Sequence, residues 1–379
     1  MKNIRMLAPC GFGIEGILAE ELKRMGALNI EAENGRVFFE GDLSVLAAAN
    51  LRLRTAERVL IVVGGFRATD FNTLFEGVKA LSWEEWIGST DAFPVTGYSI
   101  SSKLHSVPDC QSIIKKAIVE RLKSHYRLDW FSETGPVHKI RFSIQKDRVI
   151  LGIDTSGEGL HKRGYRAHSN LAPIKETLAA AMCQLARIYP DTVLYDPFCG
   201  SGTILIEAAL LAKNIAPGLK RSFAAERFGD AFQKAFCEQR AAALAEIRRD
   251  VEFVAFGSDI DPAAVTLTAE NAKKCGVSDL VRVQKSDIAD FAMQEGRTLL
   301  ITNPPYGERL LDIQNAERLY RIMGQKMPCA PGKKYLIISP NDRFEEFFGR
   351  PADKRRKLYN GMIPCQLYMY FKSNGVGNG

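Results

Sequence analysis

From Ala172 onward the chain alternates wholly apolar runs with longer stretches of helical period. The runs open "TVLYDPFCGSGTILIEAALLA", "VEFVAFGSDIDPAAVTLTAENAKKCG", "LVRVQKSD", "RTLLITNPPYG" and "KKYLIISP". Strands covered on both faces read as continuous apolar runs, and helices between them supply the crossovers of a parallel sheet. This part is therefore expected to be a doubly wound α/β domain.

The earlier part of the chain has smaller, mixed units. "RMLAPC", "RVFFEG" and "ERVLIVVGGF" read as strands, while Ile14, Ile17, Leu18, Leu22 and Met25 recur at helical spacing until Gly26. "DLSVLAAANLRLRTA" has an Asp cap and a helical period. A helix over "FNTLFEGVKAL", a strand near "VTGYSIS" and a helix "CQSIIKKAIVERLKSHY" follow. "HKIRFSIQ" and "RVILGIDTS" then form a hairpin through Lys146 and Asp147. The pattern is α+β. "GEGLHKRGYR", Gly157 to Arg166, lacks apolar period and marks the domain boundary. The tail "SNGVGNG", Ser373 to Gly379, reads as frayed.

Composition changes this picture little. The 379 residues are 46% hydrophobic and 25% charged, enough apolar material for more than one core. Lys plus Arg number 51 against 44 acidic residues, a +7 excess that suits an anionic partner without requiring one. On the basic helix, Lys115, Lys116, Arg121 and Lys123 are either phosphate contacts or a solvated face. The 8 cysteines stand singly, with no C-x-x-C pair or His cluster, so reduced thiols are expected and no metal site. With no signal-peptide core and no apolar run approaching the ~18 residues of a membrane span, a soluble cytoplasmic protein is expected.

The candidate chemistry lies at the strand ends. Asp196 closes one strand, Gly200 and Gly202 make the turn after it, and Thr203 is placed to help cap the next helix. The turn has neither a following Gly-Lys-Ser/Thr nor the G-x-G-x-x-G spacing. Asp259 ends the second strand and can accept both hydrogen bonds of a ribose diol, while Asp261 followed by Pro262 caps a helix. Asp287 ends the third and either accepts from an adenine amino group or caps a turn. Asn303, Pro304, Pro305 and Tyr306 follow the fourth strand. In a parallel sheet these ends share one crevice.

Together these residues resemble class I S-adenosyl-L-methionine-dependent methyltransferases, with "DPFCGSGT" as the glycine motif and "NPPY" as the amino-group motif. The stretch from Asp196 to Asp259 is about three times the ~20 residues usual for a minimal unit. It holds a basic, helix-rich insertion, "NIAPGLKRSFAAERFGDAFQKAFCEQRAAALAEIRRD". With "HKRGYR" and an N-terminal half similar to a ferredoxin-like segment and a THUMP RNA-binding domain, the chain resembles the bacterial 23S rRNA guanine-N2 methyltransferase family, often labelled as adenine-specific DNA methylases. The domains expected are a ferredoxin-like segment over 1–60, a THUMP-like domain over 61–156, a linker over 157–171 and a Rossmann-like methyltransferase domain over 172–379.

The resemblance implies cofactor contacts at Asp196, Phe198, Gly200, Gly202, Thr203, Asp259, Asp287 and Asn303. Phe198 packs near the methionine moiety or serves the core. Asn303, Pro304, Pro305 and Tyr306 are the catalytic set, with the Asn303 side chain and the Pro304 carbonyl accepting from the target amino group and Tyr306 stacking on the base. Glu308 and Arg309 form a surface pair or touch substrate. Lys162, Arg163 and Arg166 either track phosphates or solvate a hinge. The expected partner is RNA, rRNA first, with tRNA guanine-N2 methylation, adenine-N6 methylation of DNA and a nonenzymatic RNA-binding assembly role as alternatives.

Overall fold

The structure, a computed structural model, describes residues 3–166, 174–307 and 310–371. Glu308, Arg309, the 171–172 junction and the Ser373–Gly379 tail lie outside the described residues.

The chain divides into two compact units, each discontinuous in sequence. The first comprises Met1–Pro9, Ala19–Leu160 and Ser222–Ala241; the second comprises Cys10–Leu18, His161–Arg221 and Ala242–Gly379.

The first unit is built on one seven-stranded sheet of order β2-β3-β1-β4-β7-β6-β5. Its strands are β1 (Ile4–Pro9), β2 (Leu28–Glu33), β3 (Arg36–Gly41), β4 (Leu60–Arg67), β5 (Val95–Ile100), β6 (Ile140–Gln145) and β7 (Arg148–Asp154). All pairs are antiparallel except β5 with β6. The β1–β4 pairing, Met6 opposite Ile61 and Leu7 opposite Leu60, carries the sheet through the middle of the unit. Lys146 and Asp147, φ 50° and 63°, make the β6–β7 hairpin turn, since primed turns need positive φ at both central residues. The first helix, α1, spans Glu15–Arg24, and Asp42 and Asp70 cap α2 (Leu43–Arg52) and α3 (Phe71–Lys79) by accepting from Val45 and Thr73 amides.

On the basic helix α4 (Val107–Tyr126) the solvated-face reading fails for two cations. Lys115 pairs with Glu133 and sits 3.6 Å over the Phe93 ring, and Arg121 pairs with Glu84, whose carboxyl it holds down at about 2. They brace the fold.

The second unit carries a seven-stranded sheet of order β10-β9-β8-β11-β12-β14-β13. The strands are β8 (Val193–Asp196), β9 (Val254–Asp259), β10 (Val281–Lys285), β11 (Thr298–Thr302), β12 (Lys333–Ser339), β13 (Lys354–Asn360) and β14 (Ile363–Tyr370). β8 to β12 run parallel, and β14 is antiparallel to both β12 and β13. The order reverses between β8 and β11, and ligands of doubly wound sheets bind at such a switch point. Between β8 and β9 lie α6 (Thr203–Ala212), a 3-10 turn (Ala224–Arg227) and α7 (Asp230–Ala245). α8 (Pro262–Cys275) and α9 (Leu310–Lys326) follow β9 and β11. A core of Tyr195, Leu300, Tyr320, Tyr335, Ile337, Phe344 and Tyr368 is among the residues that pack against this sheet.

Neither proposed role of Arg163 and Arg166 as phosphate trackers or hinge solvation is met. Arg163 is buried with Nε 3.4 Å from the Glu207 carboxylate, and Arg166 Nε donates to Glu176 at 2.9 Å. A buried guanidinium needs a carboxylate partner, and α6 and α5 (Glu176–Ala186) provide them.

Candidate active site

The parallel pairing of β8 to β11 brings four strand ends to one edge of the sheet. There a cavity of about 670 Å³ opens, walled in part by Phe198, Asp259, Asp287, Asn303, Pro304, Pro305 and Tyr306. Asp196, Gly200, Gly202 and Thr203 are not on this wall; they build the turn beside it.

Asp196 is 1% exposed beneath that turn. Its Oδ1 accepts from Thr302 Oγ1 at 2.7 Å and from the Phe198 amide at 3.2 Å, tying β8 to β11. Burial pushes its carboxyl up to about 7 despite these bonds. Asp196 is a support of the site, not a contact surface.

Gly200 and Gly202 have φ of 53° and 78°, open to glycine without strain. A Cβ on Gly202 would lie 2.6 Å from Thr268 Cγ2, whereas one on Gly200 would meet nothing within 4 Å. The two glycines thus do different things: the second allows α8 to close on the turn, and the first leaves room. Thr268 Oγ1 donates to the Gly200 carbonyl at 2.8 Å and Asn271 Nδ2 to the Ser201 carbonyl at 3.0 Å, so α8 pins the turn. Thr203 does not cap α6; Gly202 holds the cap position without a side-chain bond, and the Thr203 hydroxyl lies 3.1 Å from that of Ser201.

Asp259 joins the turn to the second strand. Its Oδ2 accepts from the Gly200 amide at 3.0 Å and its Oδ1 from the Asp261 amide at 3.0 Å. A carboxylate has about four lone-pair sites, so acceptor capacity for a diol is left. Asp261 caps α8 by accepting from Ala263 at 2.9 Å, with Pro262 in the first turn. Asp287 caps the 3-10 turn Ile288–Asp290 by accepting from the Ala289 amide at 2.8 Å, and it also lines the cavity. Both readings of that residue are compatible.

On the far wall the Tyr306 hydroxyl donates to Asn303 Oδ1 and accepts from Asn360 Nδ2 at 3.2 Å. Burial pushes its phenol well above the usual value, so the O–H is retained as a donor. Tyr320 donates to the Pro305 carbonyl at 3.2 Å, fixing the second proline from α9. Tyr306 thus lines the cavity with its hydroxyl bonded to Asn303 and Asn360, and the bond from Asn360 is a tie that its motif alone does not reveal.

The cavity also takes in Lys175, Ile260, Leu319, Asn360, Gly361 and Ile363. Ile260, directly after Asp259, is 64% exposed and offers a flat apolar face beside an acid. Its position next to Asp259 was the available signal; Asn360 and Gly361 come from the β13–β14 turn and have no local motif.

A crevice with a carboxylate at the second strand end and an apolar shelf beside it fits S-adenosyl-L-methionine, which has a ribose diol, an adenine and a sulfonium. The model for the methyltransferase domain described as RMKL-like (UPF0020) matches residues 163–369. The chain belongs to this family of S-adenosyl-L-methionine-dependent methyltransferases. Models for the RlmL ferredoxin-like domain and the THUMP domain match residues 5–60 and 68–154.

Similar proteins include "Putative RNA methyltransferase YpsC" of Bacillus subtilis strain 168, 43% identical over 98% of this chain and 97% of that protein. Ribosomal RNA large subunit methyltransferase K/L of Photobacterium profundum is 33% identical over 97% of this chain, which spans 53% of that relative's length. Among solved structures, SMU.472 in complex with SAH superposes with TM-score 0.92 at 40% identity, covering 98% of both chains.

Proposed function

We propose that this methyltransferase acts on RNA and transfers its methyl group to an exocyclic amino nitrogen, guanine N2 of 23S rRNA. The observation that supports it most is the Asn303–Tyr306 stretch lining the same cavity as Asp259 at the switch point. The THUMP match and the names of the relatives support RNA as the polymer. So does a second cavity of about 460 Å³ in the first unit, where Arg5, Arg67, Lys146 and Arg148 stand with Phe38 and Phe66. Cations interleaved with aromatic rings suit phosphates and bases together.

The bound cofactor supplies an electrophilic methyl group on a sulfonium. An exocyclic amino nitrogen is a poor nucleophile because its lone pair is delocalised into the ring. Asn303 Oδ1 and the Pro304 carbonyl, accepting its two N–H bonds, draw the nitrogen toward sp³ and aim the lone pair. Each proline fixes its own φ and biases the residue before it to an extended shape, which sets these acceptors in advance. Since the Tyr306 hydroxyl occupies Asn303 Oδ1 before substrate arrives, the incoming amino group takes over that acceptor and Tyr306 keeps its bond to Asn360. The ring of Tyr306 then supports the base, a contact worth ~1–3 kcal/mol. The methylated nitrogen loses its proton to water, so orientation supplies most of the rate.

The test is methyl transfer from tritiated cofactor to rRNA, tRNA and duplex DNA, with nucleoside mass spectrometry of rRNA from cells lacking the protein. Loss of N2-methylguanosine from 23S rRNA is expected; preferential labelling of DNA or tRNA would overturn the assignment. Asn303→Ala should lower kcat by roughly 10²-fold or more, the scale for one preorganised polar group at a reacting centre. A nonenzymatic assembly factor would be indifferent to it.

A further inference from the structure

The second unit includes the segment Cys10–Leu18, far in sequence from the rest of it. Phe12 and Gly13 of this segment lie against β13, the edge strand of the sheet. Gly13 has φ 88°, and any side chain there would run into the Lys357 carbonyl. The loop covers an open strand edge, which proteins otherwise have to protect. That purpose does not need an aromatic ring at its tip. Phe12 is nevertheless 52% exposed, with its ring 5.8 Å from that of Tyr359 at 60°.

Tyr359 immediately precedes Asn360, which lines the active-site cavity and donates to the Tyr306 hydroxyl. Beyond the turn stands Met362, 95% exposed, and then Ile363 on the cavity wall. On its other side β13 reads Lys354, Arg355, Arg356, Lys357, four successive cations. Arg355 is engaged by Glu345, and Lys357 Nζ lies 5.7 Å from the Tyr359 ring centre. Side chains alternate along a strand, so Arg355 and Lys357 share the face of half-buried Tyr359, which the exposed Phe12 ring adjoins and which leads through Asn360 to the cavity.

We infer that Phe12 and Tyr359 form a stacking platform for an unpaired nucleobase beside the target nucleotide, with β13 cations holding the adjoining phosphates. Rings 5.8 Å apart cannot admit a base between them, since two carbon contacts of ~3.5 Å need roughly 7 Å, and at 60° they share no face, so the base stacks on the exposed Phe12 ring with Tyr359 bracing it from the side. Single-stranded RNA is recognised in this way because every base has a π face and the backbone is anionic. The inference rests on RNA as substrate. It adds a subsite for a neighbour of the methylated nucleotide, and gives the N-terminal segment a part in the catalytic unit.

The experiment compares Phe12→Ala, Phe12→Leu and Phe12→Trp in the full chain. Methyl transfer is measured on 23S rRNA from cells lacking the protein, alongside cofactor affinity and melting temperature. Phe12→Ala and Phe12→Leu should raise KM for RNA about fivefold or more, the scale of one lost stack, with kcat, cofactor affinity and Tm unchanged. Phe12→Trp should restore KM, and its added fluorescence relative to wild type should be quenched by oligoadenylate. The platform is overturned if Phe12→Ala equals wild type, if leucine restores as well as tryptophan, if cofactor affinity or Tm falls in step with KM, or if the new tryptophan is not quenched. Quenching of Phe12→Trp without labelling of any RNA by wild type would sink the RNA-methylation reading and leave the platform standing. Labelling without quenching would do the reverse.

Discussion

Asp196 carries a carboxyl that the fold has taken out of water to bond Thr302 and the Phe198 amide. With its folded value raised from 3.8 to about 7, the folded state binds the extra proton between those values. The slope of stability with pH follows the protons bound by the unfolded state minus those bound by the folded one, which is negative here. The contribution of Asp196 to stability should therefore fall as pH rises from about 4 to about 7 and level off above, by on the order of 1 kcal/mol per pH unit at most. Asp196→Asn keeps the oxygen acceptor without the charge, so its melting temperature should gain on wild type across that window. Parallel thermal melts at pH 4, 5, 6 and 7 check this; a constant difference would mean that Asp196 is ionised throughout. At the same scale Asn303 and Tyr306 were readable from the motif, but the bond that the Tyr306 hydroxyl accepts from Asn360 was not, because Asn360 arrives from β13, 54 residues on.

The turn between β8 and α6 separates two uses of glycine. Gly202→Ala adds strain at φ 78° and a clash with Thr268, while Gly200→Ala adds strain at φ 53° alone. A left-handed Cβ costs about 1–2 kcal/mol, and overpacking about 1–3 more, so Gly202→Ala should lower Tm clearly further than Gly200→Ala. Gly200→Ala should instead weaken cofactor binding, read by calorimetry, because its methyl group enters the open space. Equal loss of Tm in the two variants would contradict the division. The elements that apolar pattern revealed include β8, β11 and β12, which are mostly buried, and also the edge strand β10, which is largely exposed. β2 and β13 escaped it, since exposure replaces the apolar run with "LNIEAE" and "KRRKLYN", and the buried interior strand β14, "IPCQLYMY", escaped it as well.

Over the whole molecule, the ferredoxin-like and THUMP matches, residues 5–60 and 68–154, share one sheet through the β1–β4 pairing. The groove of Arg5, Arg67, Lys146 and Arg148 lies on that unit. Arg67→Glu with Lys146→Glu should weaken RNA binding and flatten its dependence on salt, because fewer counterions are released, while cofactor affinity stays unchanged. Filter binding at several salt concentrations reads both quantities; an unaltered salt slope would take RNA off this groove.

Sequence alone determined the order of buried strands, the acids and amide at their ends, and the loss of side chains at the turn between them. Those are local properties: an apolar run, its polar stop and a glycine's freedom act over a few residues. Tertiary structure decided that Asp196 supports the cavity from behind, that Arg163 and Arg166 are consumed by Glu207 and Glu176, and that Cys10–Leu18 and Ser222–Ala241 each join the unit remote from them in sequence. Such pairings depend on which distant groups burial brings into reach, where an unpaired charge or an uncovered strand edge is costly. No run of neighbouring residues encodes that partner.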